Sequence, residues 1–308
     1  YSVCGRDLSA VKALGDYTGY DVPSPEQIEE RCRDAEIIIT NKVILDASAI
    51  ARLPRLRLIC VAATGMNNVD LAAAAEHGIS VRNAVGYSTE SVAEATIGSA
   101  LALLRETVYY DRYFKSGRYA SADRIFCFDR PTAQLRGKRW GVVGMGNIGR
   151  ETARLASAFG CDVAYASTSG VERKENYPAL PLAELLAQSD VVSVHCPLTE
   201  CTRGLISVAE LAAMKPTAVI INVARGGIVD EAALARALDD GTIRAAALDV
   251  FTSEPLRESP LYSLKDPYKL LASPHNAWSS VEAVDRLIGC IAQNIADFIA
   301  EEQELLKK

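Results

Sequence analysis

The chain has 308 residues, a formal net charge of −6, 49% hydrophobic and 23% charged side chains, a balance that suits a folded globular protein with room for two domains. That acidity, without any Lys- or Arg-rich run, argues against a nucleic-acid partner, because phosphate binding needs clustered cations. No apolar stretch reaches the roughly 18–20 residues that span a bilayer, and no basic-then-apolar leader is present, so no membrane role and a cytoplasmic location are expected.

The chain opens without Met, and Tyr1–Arg6 supply barely a strand where one is expected, so the opening strand reads as truncated. From Glu36 onward short apolar runs alternate with segments of helical period, the signature of βαβ units. Strands are predicted at Glu36–Thr40, Leu58–Ala63 and Ile79–Arg82, with a helix over Asp70–His77 that Gly78 ends. Ser91-x-x-Glu94 has capping-box spacing and predicts a long helix to about Val108. The aromatic-rich stretch Tyr109–Arg139 shows no period and is too long for an ordinary loop, so it reads as an arm, a hinge or an interface. A more regular series follows, with strands at Trp140–Val143, Asp162–Ala166, Val191–His195, Ala218–Val223, Ala245–Val250 and Leu270–Ser273. Helices Ile148–Phe159, Leu182–Gln188, Val208–Met214 and Glu231–Asp239 fill the gaps, and near-continuous apolar strands with helical crossovers describe a doubly wound parallel sheet. The last helix, about Val281–Leu306, is long enough to leave this domain and pack on the first. The expected organisation is α/β, with two Rossmann-like domains. Residues 106–282 would form the larger of them, and residues 1–105 with 283–308 the smaller.

Gly144-Met145-Gly146-Asn147-Ile148-Gly149 follows a predicted strand and opens a helix, the context in which a G-x-G-x-x-G pattern cradles a pyrophosphate. The next strand ends in Ala166-Ser167-Thr168 rather than in the acid that usually holds the adenosine ribose. That leaves the choice between NAD and NADP open at this position. NAD is the expected cofactor with NADP possible, because the nearest cations, Arg173 and Lys174, lie several residues on, and Ser167 and Thr168 offer hydroxyls that could serve ribose or phosphate.

Reducing a carbonyl by hydride requires a proton for the developing alkoxide, and histidine is the usual donor near neutral pH. Of three histidines, His77 ends a helix, where it suits the dipole. His195 ends a strand at the rim where open α/β sheets bind ligands, either touching cofactor or merely capping the strand. His275 also ends a strand, but Asp249 and Glu254 stand at and beyond the end of the strand before it. A carboxylate beside an imidazole favours the protonated ring and fixes its tautomer. The rim loop Asn222–Gly227 presents Arg225, whose planar fork suits a substrate carboxylate. The eight cysteines, 4, 32, 60, 127, 161, 196, 201 and 290, form no Cys-x-x-Cys pair, so reduced thiols and no metal site are expected.

At these residues the chain resembles the D-isomer-specific 2-hydroxyacid dehydrogenases, over nearly its whole length from about Asp34. The matching segments are Ala63–Asp70, the glycine cradle, Val194–Thr199, Asn222–Asp230, Ala247–Pro255 and Ser273–Trp278. The resemblance implies that Arg225 binds the substrate carboxylate and polarises the carbonyl, that His275 is the acid-base catalyst and that Glu254 sustains its charge. It places Gly65 and Met66 in a loop whose amides hold the carboxylate. It makes Thr96, Asn147 and Ile148 cofactor contacts and sets Cys196, Val223, Ala224 and Asp249 beside the nicotinamide half. It also implies that residues 106–282 are the dinucleotide-binding domain, that residues 1–105 with 283–308 are a flavodoxin-like substrate domain, and that a homodimer forms through the nucleotide domain and an arm at about 109–139.

Within the family, Gly86–Ala93, Phe126–Asp129 and the Trp278 of Pro-His-Asn-Ala-Trp are similar to glycerate dehydrogenases (hydroxypyruvate reductases). That favours hydroxypyruvate or glyoxylate as the oxidised substrate. The alternatives are a reductase of another 2-keto acid, of pyruvate or phenylpyruvate type, and a nucleotide-sensing corepressor-like binding protein. The intact trio favours an enzyme, and Glu254 counts against a formate dehydrogenase, where that glutamate is replaced.

Overall fold

The computed structural model describes residues 5–20, 27–170, 174–305 and 307, so the expected opening strand falls partly outside the described residues. Two compact units form, Tyr1–Ser88 with Ser279–Lys308, and Thr89–Trp278.

The first unit contains α1 (Ser9–Lys12), α2 (Gln27–Cys32), β1 (Ile37–Thr40), α3 (Ala47–Ala51), β2 (Leu58–Val61), α4 (Leu71–Glu76) and β3 (Ser80–Asn83). Its three described strands are parallel in the order β1-β2-β3, with Ile37 opposite Leu58 and Leu58 opposite Ser80. All four residues of the central strand are buried, as expected of a parallel strand covered on both faces. Asp46 and Asp70 start their helices by accepting from the amides of Ala49 at 2.7 Å and Ala73 at 3.0 Å, each a cap that contributes about 1 kcal/mol. The C-terminal helix, Val281–Leu305, returns to this unit and packs on α1, β2 and β3. Arg82 donates to the carbonyl of Asn294 at 3.1 Å and Asn294 to that of Asn83 at 3.0 Å.

The second unit is built on α5 (Thr89–Leu104), α6 (Thr107–Lys115), β4 (Arg139–Val143), α7 (Asn147–Ala158), β5 (Asp162–Ala166), α8 (Leu182–Gln188), β6 (Val191–Val194), α9 (Val208–Ala213), β7 (Val219–Asn222), α10 (Glu231–Asp239), β8 (Ala245–Leu248) and β9 (Leu270–Ala272). The six strands form one parallel sheet in the order β5-β4-β6-β7-β8-β9. Succession reverses between β4 and β6, so the crevice outside their carboxyl ends is the place where such sheets take ligands. Trp140, fully buried, donates from its indole to Ser193 Oγ at 2.9 Å, so its one polar atom is satisfied.

Three expectations need correction. The boundary at residue 105/106 moves to 88/89, because α5 buries Ile97, Ala100, Leu103 and Leu104 in one cluster with Trp140, Val142 and Ala153 of the second unit. Ser91 is not a helix cap: α5 begins at Thr89, and the buried Ser91 hydroxyl donates to the carbonyl of Ala277 at 2.6 Å. The helix also stops at Leu104, because Glu106 takes a left-handed backbone (φ 53°) before α6 begins. There its carboxylate accepts from Arg130 at 3.0 Å and from Arg244 at 3.0 Å. The segment after it holds α6 and one 3-10 turn, Arg118–Ser121, and α6 buries none of its residues.

Candidate active site

The glycine cradle joins the end of β4 to the start of α7. Gly144 has φ 94°, and a Cβ there would lie 2.7 Å from the backbone nitrogen of Cys196, so the turn is closed against the loop after β6. A Cβ on Gly149 would meet the Gly144 carbonyl at 2.2 Å, whereas one on Gly146 would meet nothing within 4 Å. Gly146 is thus left bare on the open side, over the N-terminus of a helix of 12 residues led by Asn147 and Ile148, the arrangement that lets a pyrophosphate approach the backbone. The ribose hydroxyl candidates lie just past β5: Ser167 is exposed, and Thr168 bonds the buried Cys196, whose thiol pKa is raised by burial against that bond. Thr96 is fully buried on α5, and its hydroxyl donates to the Val92 carbonyl at 2.7 Å.

Arg225, Glu254 and His275 each follow the carboxyl end of a strand of the same sheet, β7, β8 and β9. Asn222, 1% exposed at the end of β7, shapes the first loop: its side chain accepts from the Ala224 amide at 3.1 Å and donates to the Arg225 carbonyl at 3.0 Å. Arg225 spends one N–H on the carbonyl of Ala224 at 2.6 Å, and it is half-buried, as are Val223 and Ala224. Gly226 touches the next loop so closely that a Cβ would lie 1.9 Å from the Phe251 carbonyl. The Phe251 amide in turn donates to Glu254 Oε1 at 3.0 Å, and Glu254 Oε2 holds His275 Nδ1 at 2.6 Å. One run of contacts therefore connects the arginine loop to the imidazole.

His275 itself has a left-handed backbone, φ 52°, a conformation that strains most side chains and clusters at functional sites. It is held by its amide on the Asp249 carbonyl at 2.8 Å and by Trp278 Nε1 on its own carbonyl at 2.9 Å. Asp249 does not share the imidazole. Its buried carboxylate accepts from Ser273 Oγ at 2.6 Å and from the amides of Asn276 and Ala277, each at 3.0 Å, so it fixes the loop that carries the ring. Sequence reasoning assigned no role to Asn222, Ser273 or Glu231, which accepts from the Thr252 amide at 2.6 Å. A polar side chain in a strand-end motif was the only signal available.

Gly65 and Met66 belong to the first unit, on the loop after β2. Asn83 and Asn68 pin that loop, donating to the carbonyls of Thr64 at 2.6 Å and Val43 at 3.0 Å, while the Met66 side chain packs on the unit's core. His77 caps α4 as expected, its Nδ1 2.9 Å from the Ala73 carbonyl. His195 is different: both ring nitrogens are sealed from solvent with no hydrogen-bond partner among the described residues, and burial lowers the ring pKa to about 3.

The sequence profile described as "D-isomer specific 2-hydroxyacid dehydrogenase, NAD binding domain" matches residues 97–277. The chain belongs to that family. It is 42% identical to a protein of Haemophilus influenzae named as a 2-hydroxyacid dehydrogenase, covering 92% of this chain and 91% of that one. It is 38% identical to the glycerate dehydrogenase of Methylorubrum extorquens, over 90% and 87% of the two chains. Among solved structures, the D-lactate dehydrogenase of Aquifex aeolicus, complexed with NAD and lactic acid, superposes with a TM-score of 0.80 at 27% identity, covering 97% of this chain and 93% of that one. This 2-hydroxyacid dehydrogenase therefore uses NAD(P), and the open side of Gly146 over the α7 N-terminus fits the dinucleotide pyrophosphate. No helix among the described residues is long and apolar enough to cross a membrane.

Proposed function

We propose that this dehydrogenase reduces a small 2-keto acid, hydroxypyruvate or glyoxylate in preference to pyruvate or phenylpyruvate, to the D-2-hydroxy acid, and catalyses the reverse. The observation that carries the reading is the Glu254–His275 pair at 2.6 Å, linked through Phe251 to the arginine loop. Bound NAD(P)H supplies the hydride. Glu254 takes Nδ1 of His275 and orients the ring, so Nε2 is the atom that gives a proton to the developing alkoxide and recovers one in the reverse direction. Arg225, with most of its fork uncommitted, grips the substrate carboxylate and draws electron density from the adjacent carbonyl. Cys196, Val223, Ala224 and Asp249 are assigned to the nicotinamide side, Thr96 to a cofactor contact, and the amides of Gly65 and Met66 to the substrate carboxylate.

The substrate preference draws support from the kinship with a glycerate dehydrogenase. It is tested by kcat/KM for hydroxypyruvate, glyoxylate, pyruvate and phenylpyruvate with NADH and with NADPH. A panel led by phenylpyruvate would refute it, and a protein that binds NADH but turns over none of them would favour the corepressor-like alternative. The first unit is proposed as the substrate domain and the second as the dinucleotide domain. A cytoplasmic homodimer is proposed as well. Exposed Phe114, Ile125, Phe126 and Phe128 on the arm, between 66% and 84% accessible, support burial against a second copy. The described cysteines are all free, as in a reducing compartment. A monomer in sedimentation at micromolar concentration would refute the dimer.

A further inference from the structure

Arg150 lies in the first turn of α7, directly after Gly149, and reaches the segment that follows β5. Its guanidinium forks onto Glu175: Nε donates to Oε1 at 3.0 Å and to Oε2 at 3.2 Å, and Nη2 donates to Oε1 at 2.8 Å. The glutamate side chain is only 11% exposed against 43% for the arginine, so the acid is the anchored partner. The segment bearing Glu175 is itself tied back to β5, with the Tyr165 amide on the Pro178 carbonyl at 3.0 Å and the Leu180 amide on the Tyr165 carbonyl at 2.8 Å. One turn further along α7, Arg154 forks onto Glu151 at 2.9 and 2.6 Å. Both arginines on this flank are therefore neutralised in place, and among the described residues only exposed Lys174 adds an uncommitted cation.

The end of β5 is where a doubly wound sheet holds the adenosine ribose, and an acid there excludes a 2′-phosphate. Here the strand ends in Ala166, so selection by that route is absent. A 2′-phosphate needs a cation, best a bidentate one, and Arg150, the arginine that reaches this segment among the described residues, is already held by Glu175. We propose that Glu175 sets the cofactor choice of this enzyme by holding the Arg150 fork, which favours NAD over NADP. The inference rests on the NAD(P)-dependent reading and names a specificity-determining pair within it. Among the described residues, a phosphoester at the 2′ position must either displace a partly buried carboxylate or rely on exposed Lys174, a point charge without the bidentate fork, and both are less favourable than an open arginine.

The test is fluorescence titration of NADH and NADPH, without substrate, into the unsubstituted protein, Glu175→Gln, Glu175→Ser, Arg150→Gln and the Glu175→Gln/Arg150→Gln double variant. The unsubstituted protein should bind NADH the more tightly. Glu175→Gln and Glu175→Ser should each tighten NADPH about tenfold, the scale of one charge-assisted fork, and leave NADH within about twofold. With Arg150→Gln present, Glu175→Gln should no longer change the NADPH:NADH ratio. An unchanged ratio in the Glu175 single variants overturns the proposal. So does a gain that persists without Arg150, since the acid would then repel phosphate directly. Loss of NADH affinity in Glu175→Gln overturns it too, as a sign of ribose binding by the acid. An unsubstituted protein that binds neither nucleotide would sink the dinucleotide reading and this proposal together.

Discussion

Taking the enzyme from pH 7.5 to pH 5 should destabilise the dinucleotide-binding unit through His195. The ring stands at the end of β6 with both nitrogens sealed, and burial lowers its pKa from 6.5 to about 3. The unfolded chain takes up a proton as pH drops below 6.5, whereas the folded ring stays neutral until about pH 3. The stabilisation is therefore whole above 6.5 and shrinks as pH falls through the window between those values. At pH 5, about 1.5 pH units into that window, the loss is about 2 kcal/mol at 1.36 kcal/mol per unit. For a unit of this size that lowers the thermal midpoint by about 4–8 °C. His195→Leu removes the titrating group together with two buried atoms that have no hydrogen-bond partner among the described residues. Its stability at pH 7.5 should stay within about 1 kcal/mol of the unsubstituted protein. Circular dichroism melts of both proteins at the two pH values measure the difference. If the two midpoints fall in parallel between pH 7.5 and 5, the ring is hydrated in solution and its burial does not set the pH dependence.

Four further outcomes follow from the same geometry. His275→Ala should lower reductive kcat by about 10²–10⁴-fold with the NADH dissociation constant nearly unchanged, which stopped-flow turnover and fluorescence titration separate. Glu254→Gln keeps the shape but weakens the ring's orientation and charge, so kcat should fall by about tenfold or more, again with nucleotide affinity retained. Arg225→Lys keeps the charge and loses the fork, so kcat/KM should fall nearly as far as in Arg225→Gln; a mild effect would mean that the carboxylate is held elsewhere. Glu106→Ala leaves Arg130 and Arg244 without the carboxylate they share, its side chain being 11% exposed, and should cost about 2–3 kcal/mol in urea unfolding.

Most strands of both units were legible as short, near-continuous apolar runs between helical periods, a signal carried by adjacent residues, whereas β3, Ser80–Asn83, has Val81 as its one apolar residue. The glycine cradle was legible for a related reason: its three glycines, strand and helix fall within about a dozen positions. What the sequence could not display depends on partners far along the chain. The end of α5 is set at Glu106 by arginines at 130 and 244, so an apolar period running on to Val108 misleads. Ser91 and Glu94 have the spacing of a cap, but the serine hydroxyl is taken by Ala277, 186 positions away.

The two acids near His275 show the same limit within the site. Spacing alone placed Asp249 and Glu254 as equal candidates to support the imidazole, since both follow the same strand. The fold separates them by burial and by what each oxygen accepts. Asp249, 4% exposed, is enclosed by one hydroxyl and two amides of the 273–277 loop. It therefore acts on the backbone that carries the ring. Glu254 is about one-third exposed and has one oxygen on the Phe251 amide, which leaves the other for Nδ1. A catalytic carboxylate must face a group that changes charge during the reaction, and a buried one already holding three donors is poorly placed to do so. The division predicts different failures: loss of the Asp249 carboxylate should release the loop and lower stability and activity together, whereas loss of the Glu254 charge should lower turnover in a protein that still melts normally. Thermal melts and kcat for Asp249→Asn beside Glu254→Gln decide it. If Asp249→Asn melted normally and lost only turnover, Asp249 would belong to the reacting groups after all.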